Sequence, residues 1–223
     1  MLGRSNSNAD SVVVIGLGRF GSGVAMALAE LGHDVLAIDT DAEKVQATSA
    51  SLGHVVQADA TDIETLKQLG VQDFAHAVVG IGQNLEASVL TVLNLSQMGI
   101  KDIWVKANNQ QHGRIAERVG AHHVVYPEHD MGQRVAHLVT GKMIDFIEFE
   151  DGFAIAKTRA PRETYDKPLS LSLVRQKHGV TVVGVKRSHQ NFIYAQPETV
   201  IRPGDLLIVA GPTKEIERFS ARV

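Results

Sequence analysis

Three glycines, Gly16, Gly18 and Gly21, stand at G-x-G-x-x-G spacing in residues 11–21, SVVVIGLGRFG. The first lets the chain reverse, and the second lets backbone amides approach a pyrophosphate with no Cβ in the way. The third lets a helix pack close to its strand. The chemistry of such a turn is anion binding, because a helix that opens there offers free N–H groups and the positive end of its dipole. Spacing alone is weak evidence, since glycines also mark ordinary turns. Here an apolar run at 12–15 precedes the glycines, and helical spacing at 24–31 follows them and stops at Gly32. A second apolar run, 35–38, ends in Asp39. That acid lies roughly twenty residues on, where a dinucleotide-binding unit places a carboxylate for ribose hydroxyls. Together these features predict a nucleotide site rather than a bare structural turn. Thr40 and Asp41 follow Asp39, with no arginine to hold a 2′-phosphate, which disfavours NADP.

Further side chains with chemical reach fall near the same turn or at the ends of later apolar runs. Arg19 puts a cation in the first turn of a helix, against the dipole. It is either a solvated arginine that tolerates this, or a contact for a polyphosphate that offsets it with charge-assisted bonds. Asp59, Ala60 and Thr61 follow the third run, as helix caps or beside an adenine. Ile81 and Gly82 close the fourth run, and Lys106 the fifth, as a phosphate contact or a solvated lysine. Glu128 follows Pro127, and either complements a helix dipole or holds a cation bridging to phosphate oxygens, since carboxylates suit magnesium and calcium. His122 and His123 are adjacent in a strand and point to opposite faces, which makes a poor metal pair.

These residues need elements to hold them, and the pattern supplies an alternation. Strands are expected at 12–15, 35–38, 55–58, 76–81, 103–105 and 122–125, with a helix between each pair. Thr40 with Glu43 and Thr61 with Glu64 have capping-box spacing, and Gly53, Gly70, Gly99 and Gly120 mark helix stops. Six strands alternating with five helices predict an α/β fold, a Rossmann-type doubly wound parallel sheet. Ligands sit outside the carboxyl ends of the strands in such sheets, where Gly16, Asp39, Asp59, Gly82, Lys106 and Glu128 all fall.

A sixth helix, expected at 130–140 and stopped by Gly141, carries Met131, Val135, Leu138 and Val139 on one face. Either its own sheet or a second subunit covers that face. From Met143 the pattern changes to strand-like alternation. Short strands are expected around 144–149 and 153–156, and at 180–186, 192–195 and 206–210. A short helix at 171–177 and another from Thr213 complete a smaller α+β domain. The expected division is residues 1–141 and 142–223.

The chain has 223 residues, 44% hydrophobic and 21% charged, which is ordinary for a soluble globular protein. A net charge of -3 argues against a nucleic-acid binder. The absence of cysteine excludes disulfides and thiolate metal sites and fits a reducing cytosol. No segment approaches the roughly 18 unbroken apolar residues of a membrane helix. The polar residues 1–10 lack the apolar stretch of a signal peptide and are expected to be a frayed tail.

A small NAD-dependent oxidoreductase would need a proton-transfer pair. Tyr126, Tyr165 and Tyr194 are followed four residues on by Asp130, Leu169 and Glu198, not by the lysine of a Tyr-x-x-x-Lys pair. A G-x-S-x-G elbow is missing too. The site reads as built to bind rather than to react. VVVIGLGRFG, Ala58-Asp59-Ala60-Thr61, Trp104-Val105-Lys106-Ala107 and Tyr126-Pro127-Glu128-His129-Asp130-Met131-Gly132 resemble the regulator-of-potassium-conductance (RCK) family. Within it, the chain is similar to the cytosolic regulatory subunits of bacterial Ktr-type potassium uptake systems, over essentially its whole length.

The resemblance implies a non-enzymatic regulator on the cytosolic face of the membrane. Such chains dimerise, assemble into an octameric ring and control a membrane potassium channel or transporter through ATP against ADP, with NAD(H) bound by relatives. It implies that Gly16, Gly18 and Gly21 cradle the phosphates and Asp39 takes the ribose, with Phe20 and Thr40 also among the binding residues. Asp59, Ala60 and Thr61 lie near the adenine, Ile81, Gly82 and Lys106 complete the site, and Arg19 reaches the terminal phosphate. Glu128 holds a magnesium, calcium or monovalent cation there, and the surplus helix crosses between subunits. Some relatives bind cyclic di-AMP in the second domain, and the residues here leave that ligand open. A free-standing nucleotide sensor is the remaining alternative.

Overall fold

The computed structural model describes residues 11–139 and 143–223. The tail at 1–10 and the expected helix stop at Gly141 lie outside them. The chain divides into two compact units, Met1–Glu128 and His129–Val223.

In the first unit the apolar runs become β1 (Ser11–Ile15), β2 (Asp34–Asp39), β3 (His54–Gln57), β4 (His76–Val79), β5 (Asp102–Lys106) and β6 (His123–Val125). All pair in parallel, in the order β3-β2-β1-β4-β5-β6. β1 reads as an unbroken run of Val and Ile because it is central and buried on both faces. The crossovers are α1 (Arg19–Glu30), α2 (Ala42–Ser49), α3 (Ile63–Gln68), α4 (Leu85–Gln97) and α5 (Gln110–Val119). Val12, Val14, Ala25 and Ala37 pack with α1 and α2 on one face of the sheet. Leu66, Val92, Leu95 and Ala116 pack with Val13, Ile15 and Ile103 on the other. This is the expected doubly wound sheet, with the strand order reversing between β1 and β4.

Two expected caps move by one residue. Asp41, not Thr40, caps α2, accepting from Glu43 N at 2.9 Å. Asp62, not Thr61, caps α3, accepting from Glu64 N at 3.0 Å. A carboxylate competes well for these amides, and both acids stand directly before the first helical residue. Asp59 instead folds onto its own turn, accepting from Thr61 N at 2.9 Å and Thr61 Oγ1 at 2.7 Å.

A helix α6 (Pro127–Val139) begins in the first unit and continues into the second. The second unit then builds β7 (Asp145–Glu148), β8 (Phe153–Arg159), β9 (Thr181–Lys186), β10 (Phe192–Tyr194) and β11 (Leu206–Pro212). They form an antiparallel sheet in the order β10-β9-β11-β8-β7. Alternate residues of β8 and β11, among them Ala154, Ala156, Leu207 and Val209, face a core filled by Val174, Ile216 and Phe219. The expected helix at 171–177 is two pieces, α7 (Leu169–Ser172) and α8 (Val174–His178). Leu173 breaks it with a left-handed φ of 54°, a conformation a leucine adopts only under constraint. The last helix is α9 (Thr213–Ser220). No helix among the described residues is long and apolar enough to cross a membrane.

Candidate nucleotide site

The glycine turn is built from backbone contact. Gly16 has a φ of 92°, and its N–H donates to Ile38 O at 2.8 Å, so the turn is pinned to β2. Its carbonyl is wedged between two other glycines. A Cβ on Gly21 would lie 1.9 Å from Gly16 O, and a Cβ on Gly80 would lie 2.8 Å from it. A Cβ on Gly18, by contrast, would meet nothing within 4 Å. The fold therefore demands glycine at 16, 21 and 80, while the space at Gly18 is left for something other than this chain. α1 starts directly after Gly18, with no side-chain cap and no acid in its first turn. Its leading amides are left for an anion.

A cleft of about 850 Å³ opens here, at the carboxyl ends of β1 and β4. Gly16, Gly18, Arg19, Phe20, Asp39, Thr40, Asp59, Ala60, Thr61, Ile81, Gly82, Lys106 and Glu128 all line it. Of the residues expected from the sequence, Gly21 alone is absent from the lining, because it works behind the turn as packing.

Asp39 is 8% exposed and already in use. Oδ2 accepts from Leu17 N at 2.6 Å and Oδ1 from Asp41 N at 2.9 Å, so it ties the glycine turn to the end of β2. Lys44 Nζ stands 3.6 Å from Asp39 and 3.4 Å from Asp41. Sequence reasoning missed Lys44, although its place one turn into α2 signals it. Arg19 is exposed, and no carboxylate among the described residues lies within ion-pair distance of it. Lys106 is not solvated. It is mostly buried and bonds Glu128 Oε1 at 2.5 Å. That hydrogen bond, with the nearby charges of Lys106 and Arg19, holds the Glu128 carboxyl below its ordinary range.

A cation at Glu128 would have to share it with Lys106 and take its other ligands from phosphate and water. Among the described residues no three metal-ligating side chains gather anywhere. His122 and His123 part company: His122 Nδ1 accepts from Ile103 N, while His123 pairs with Asp102 and stacks on Trp104.

Two buried side chains that sequence reasoning passed over hold the rim. Asn94 of α4 donates to Ala60 O at 3.2 Å and Thr61 O at 2.9 Å, fixing the segment after β3. His112 of α5 meets Ser88 Oγ at 3.1 Å through Nε2, and Asn108 N donates to its Nδ1 at 3.4 Å. Burial lowers the His112 pKa, and the neutral ring keeps the lone pair this loop amide needs. Asn108 in turn donates from Nδ2 to Gly82 O, closing the far wall.

Comparison with known proteins places this geometry. The TrkA-N domain matches residues 12–127, and the TrkA-C domain matches residues 166–223. The chain belongs to the TrkA-type RCK family. The RCK chain is 38% identical to Ktr system potassium uptake protein C of Bacillus subtilis, over 94% of its length and 96% of the relative's. It is 38% identical to protein A of the same system, over 92% and 93%. Its identity to the Vibrio alginolyticus Ktr system potassium uptake protein A is 33%, over 91% and 93%. Among solved structures it resembles the GsuK RCK domain at a TM-score of 0.54 and 20% identity, covering 98% of this chain and 47% of that one. It resembles the GsuK channel bound to NAD at 0.63 and 18%, covering 94% and 39%. These two likenesses show the fold, and the RCK chain spans less than half of each of those chains. The TrkA-N match ends at Pro127, one residue before Glu128, so it takes in the cleft with that one exception among the lining residues.

Proposed function

We propose that this RCK chain is a nucleotide-binding regulatory subunit of a potassium uptake system, working from the cytosolic side on a membrane channel or transporter. The observation that carries the reading is 38% identity, over more than nine-tenths of both chains, to Ktr potassium uptake proteins. The cleft supports the nucleotide part. It has a glycine turn with open space at Gly18, a carboxylate at Asp39 and cations at Arg19 and Lys106, in a volume suited to a nucleotide. The ligands proposed are ATP and ADP, with NAD(H) as a further one and a cation at Glu128 beside the phosphates. Gly16, Gly18 and Phe20 frame the phosphates, Asp39 and Thr40 take the ribose, and Asp59, Ala60 and Thr61 flank the adenine beside Ile81 and Gly82. Regulation rather than catalysis fits a cleft in which Asp39 is tied to the turn and to Lys44, and Lys106 to Glu128.

ATP and ADP share adenine, ribose and two phosphates, and a ligand shifts an equilibrium only through differential affinity for the two states. The switch then lies at the third phosphate, where Arg19 has both charge and reach. Moving a gate from mostly closed to mostly open takes about 5.5 kcal/mol. Spread over a ring of several sites, this asks only about 1 kcal/mol of each, within one arginine–phosphate contact. Arg19→Ala is expected to bind ADP still, and to lose the difference between ATP and ADP in potassium flux into vesicles carrying the ring and its membrane partner. A mutant that keeps the wild-type flux ratio places the switch elsewhere.

The assembly is proposed to use α6. None of its described residues is buried, and Met131, Val135 and Val139 are exposed. The five crossovers also leave an apolar groove of about 560 Å³ beside β4–β6, lined by Val24, Leu28, Val78, Trp104 and Val125. A second copy of the chain is proposed to cover such surface, dimers building on toward an octameric ring. Val135→Asp with Leu138→Asp would place two charges in that interface, at about 2 kcal/mol or more each. Light scattering should report a smaller particle with its nucleotide binding retained, and wild-type mass would assign this face to the monomer.

A further inference from the structure

We propose that Glu128 is a built-in competitor for the third phosphate, holding Lys106 until a triphosphate displaces it, and so limits the affinity for ATP more than for ADP. The inference rests on the nucleotide reading above. Lys106 is 14% exposed and Glu128 62% exposed. The cation is thus fixed in the wall while the carboxylate can swing out to water at little cost. A Cβ on Gly82 would come within 3.1 Å of Lys106 Nζ, so the ammonium lies over the loop that ends β4. The pyrophosphate seat is at the amides of the glycine turn, on the β1 side of the cleft. Lys106 therefore awaits a group extending past that seat, and Glu128 Oε1, at 2.5 Å, takes one of its three N–H donors and answers its charge. Arg19 acts on the same carboxylate through its charge. A carboxylate bonded to one cleft cation and acted on by the charge of a second imitates a phosphate oxygen in charge and hydrogen-bonding capacity. The first turn of α6 favours any acid through its dipole, but that does not choose a partner for it. The bond to Lys106 does.

The test is calorimetric titration of the full chain with ATP and ADP in EDTA, which removes any cation from Glu128. Glu128→Gln keeps the shape and the exposed position. It should tighten ATP by about fivefold, the upper end for an ion pair of this exposure, and ADP by less than about twofold. In a Lys106→Met background the same substitution should change ATP affinity by less than about twofold, because the competed cation is gone. An equal gain with and without Lys106 would mean general charge repulsion and overturn the proposal, as would an absence of gain or an equal gain for ADP. A wild-type chain that takes up neither nucleotide overturns the nucleotide reading itself, a result distinct from all of these.

Discussion

Gly21→Ala is expected to lower the stability of the first unit by about 3 kcal/mol, the upper end of the usual cost of overpacking a tight contact. The added Cβ would stand 1.9 Å from Gly16 O and 3.0 Å from Gly16 C. Both are backbone atoms of a turn already held by Gly16 N to Ile38 O and Gly80 N to Ile15 O. Neither side can yield as a flexible side chain would, so α1 must lift from β1 or the turn must distort. Either movement also spoils the amides that face the cleft. Two neighbouring glycines separate packing from other causes. A Cβ on Gly23, in the same helix, meets nothing within 4 Å, so Gly23→Ala should be neutral or stabilise by up to about 1 kcal/mol through helix propensity. Gly18→Ala also meets nothing, and should fold normally yet lose nucleotide affinity, since the methyl group enters the cleft. Urea unfolding followed by circular dichroism, with calorimetric titration beside it, reads all three. A Gly21→Ala chain as stable as Gly23→Ala would refute this account of the turn.

The sheet was legible because each strand of the first unit is a short apolar run closed by a glycine or a polar residue, and a glycine follows each of its five crossover helices. Periodicity reports burial, and burial in a parallel sheet covered on both faces is nearly continuous. What stayed hidden depends on contacts between distant segments. Gly80 sits inside the run expected as strand 76–81, and its need for glycine arises only where β4 passes the turn after β1. An isolated glycine in a strand pattern is the available signal for such close approach. Asn94 and His112 looked like ordinary helix residues, since nothing local marks which backbone carbonyl or amide a buried side chain will meet. The shifted caps have a different cause. Thr-Asp precedes α2 as Asp39-Thr40-Asp41 and α3 as Asp59-Ala60-Thr61-Asp62, and spacing cannot choose between a hydroxyl and an adjacent carboxylate. Leu173 was unreadable for a further reason: its left-handed conformation runs against the residue's own preference, and no local pattern announces it.

Asp39→Ala should weaken ATP, ADP and NADH by one common factor, because ribose is what they share. An ionised carboxylate offers about four acceptor positions, and two here serve Leu17 N and Asp41 N. Two remain, enough for the pair of hydroxyls of one ribose. Losing two charge-assisted bonds costs about 2–4 kcal/mol, or about 30- to 1,000-fold in dissociation constant. The alanine variant also strands the buried Leu17 amide, which removes about 1–3 kcal/mol of stability. Asp39→Asn separates these roles, since its amide oxygen can still accept from Leu17 N while the charge and the second acceptor are lost. The asparagine variant should therefore be more stable than the alanine variant yet bind all three nucleotides poorly. Its pattern differs from that of Arg19→Ala, which should alter only the difference between ATP and ADP. Calorimetric titration of both Asp39 variants with the three nucleotides, paired with urea unfolding, gives the two readouts. If Asp39→Asn keeps wild-type affinity for all three, Asp39 serves the turn alone, and the ribose must be held elsewhere in the cleft.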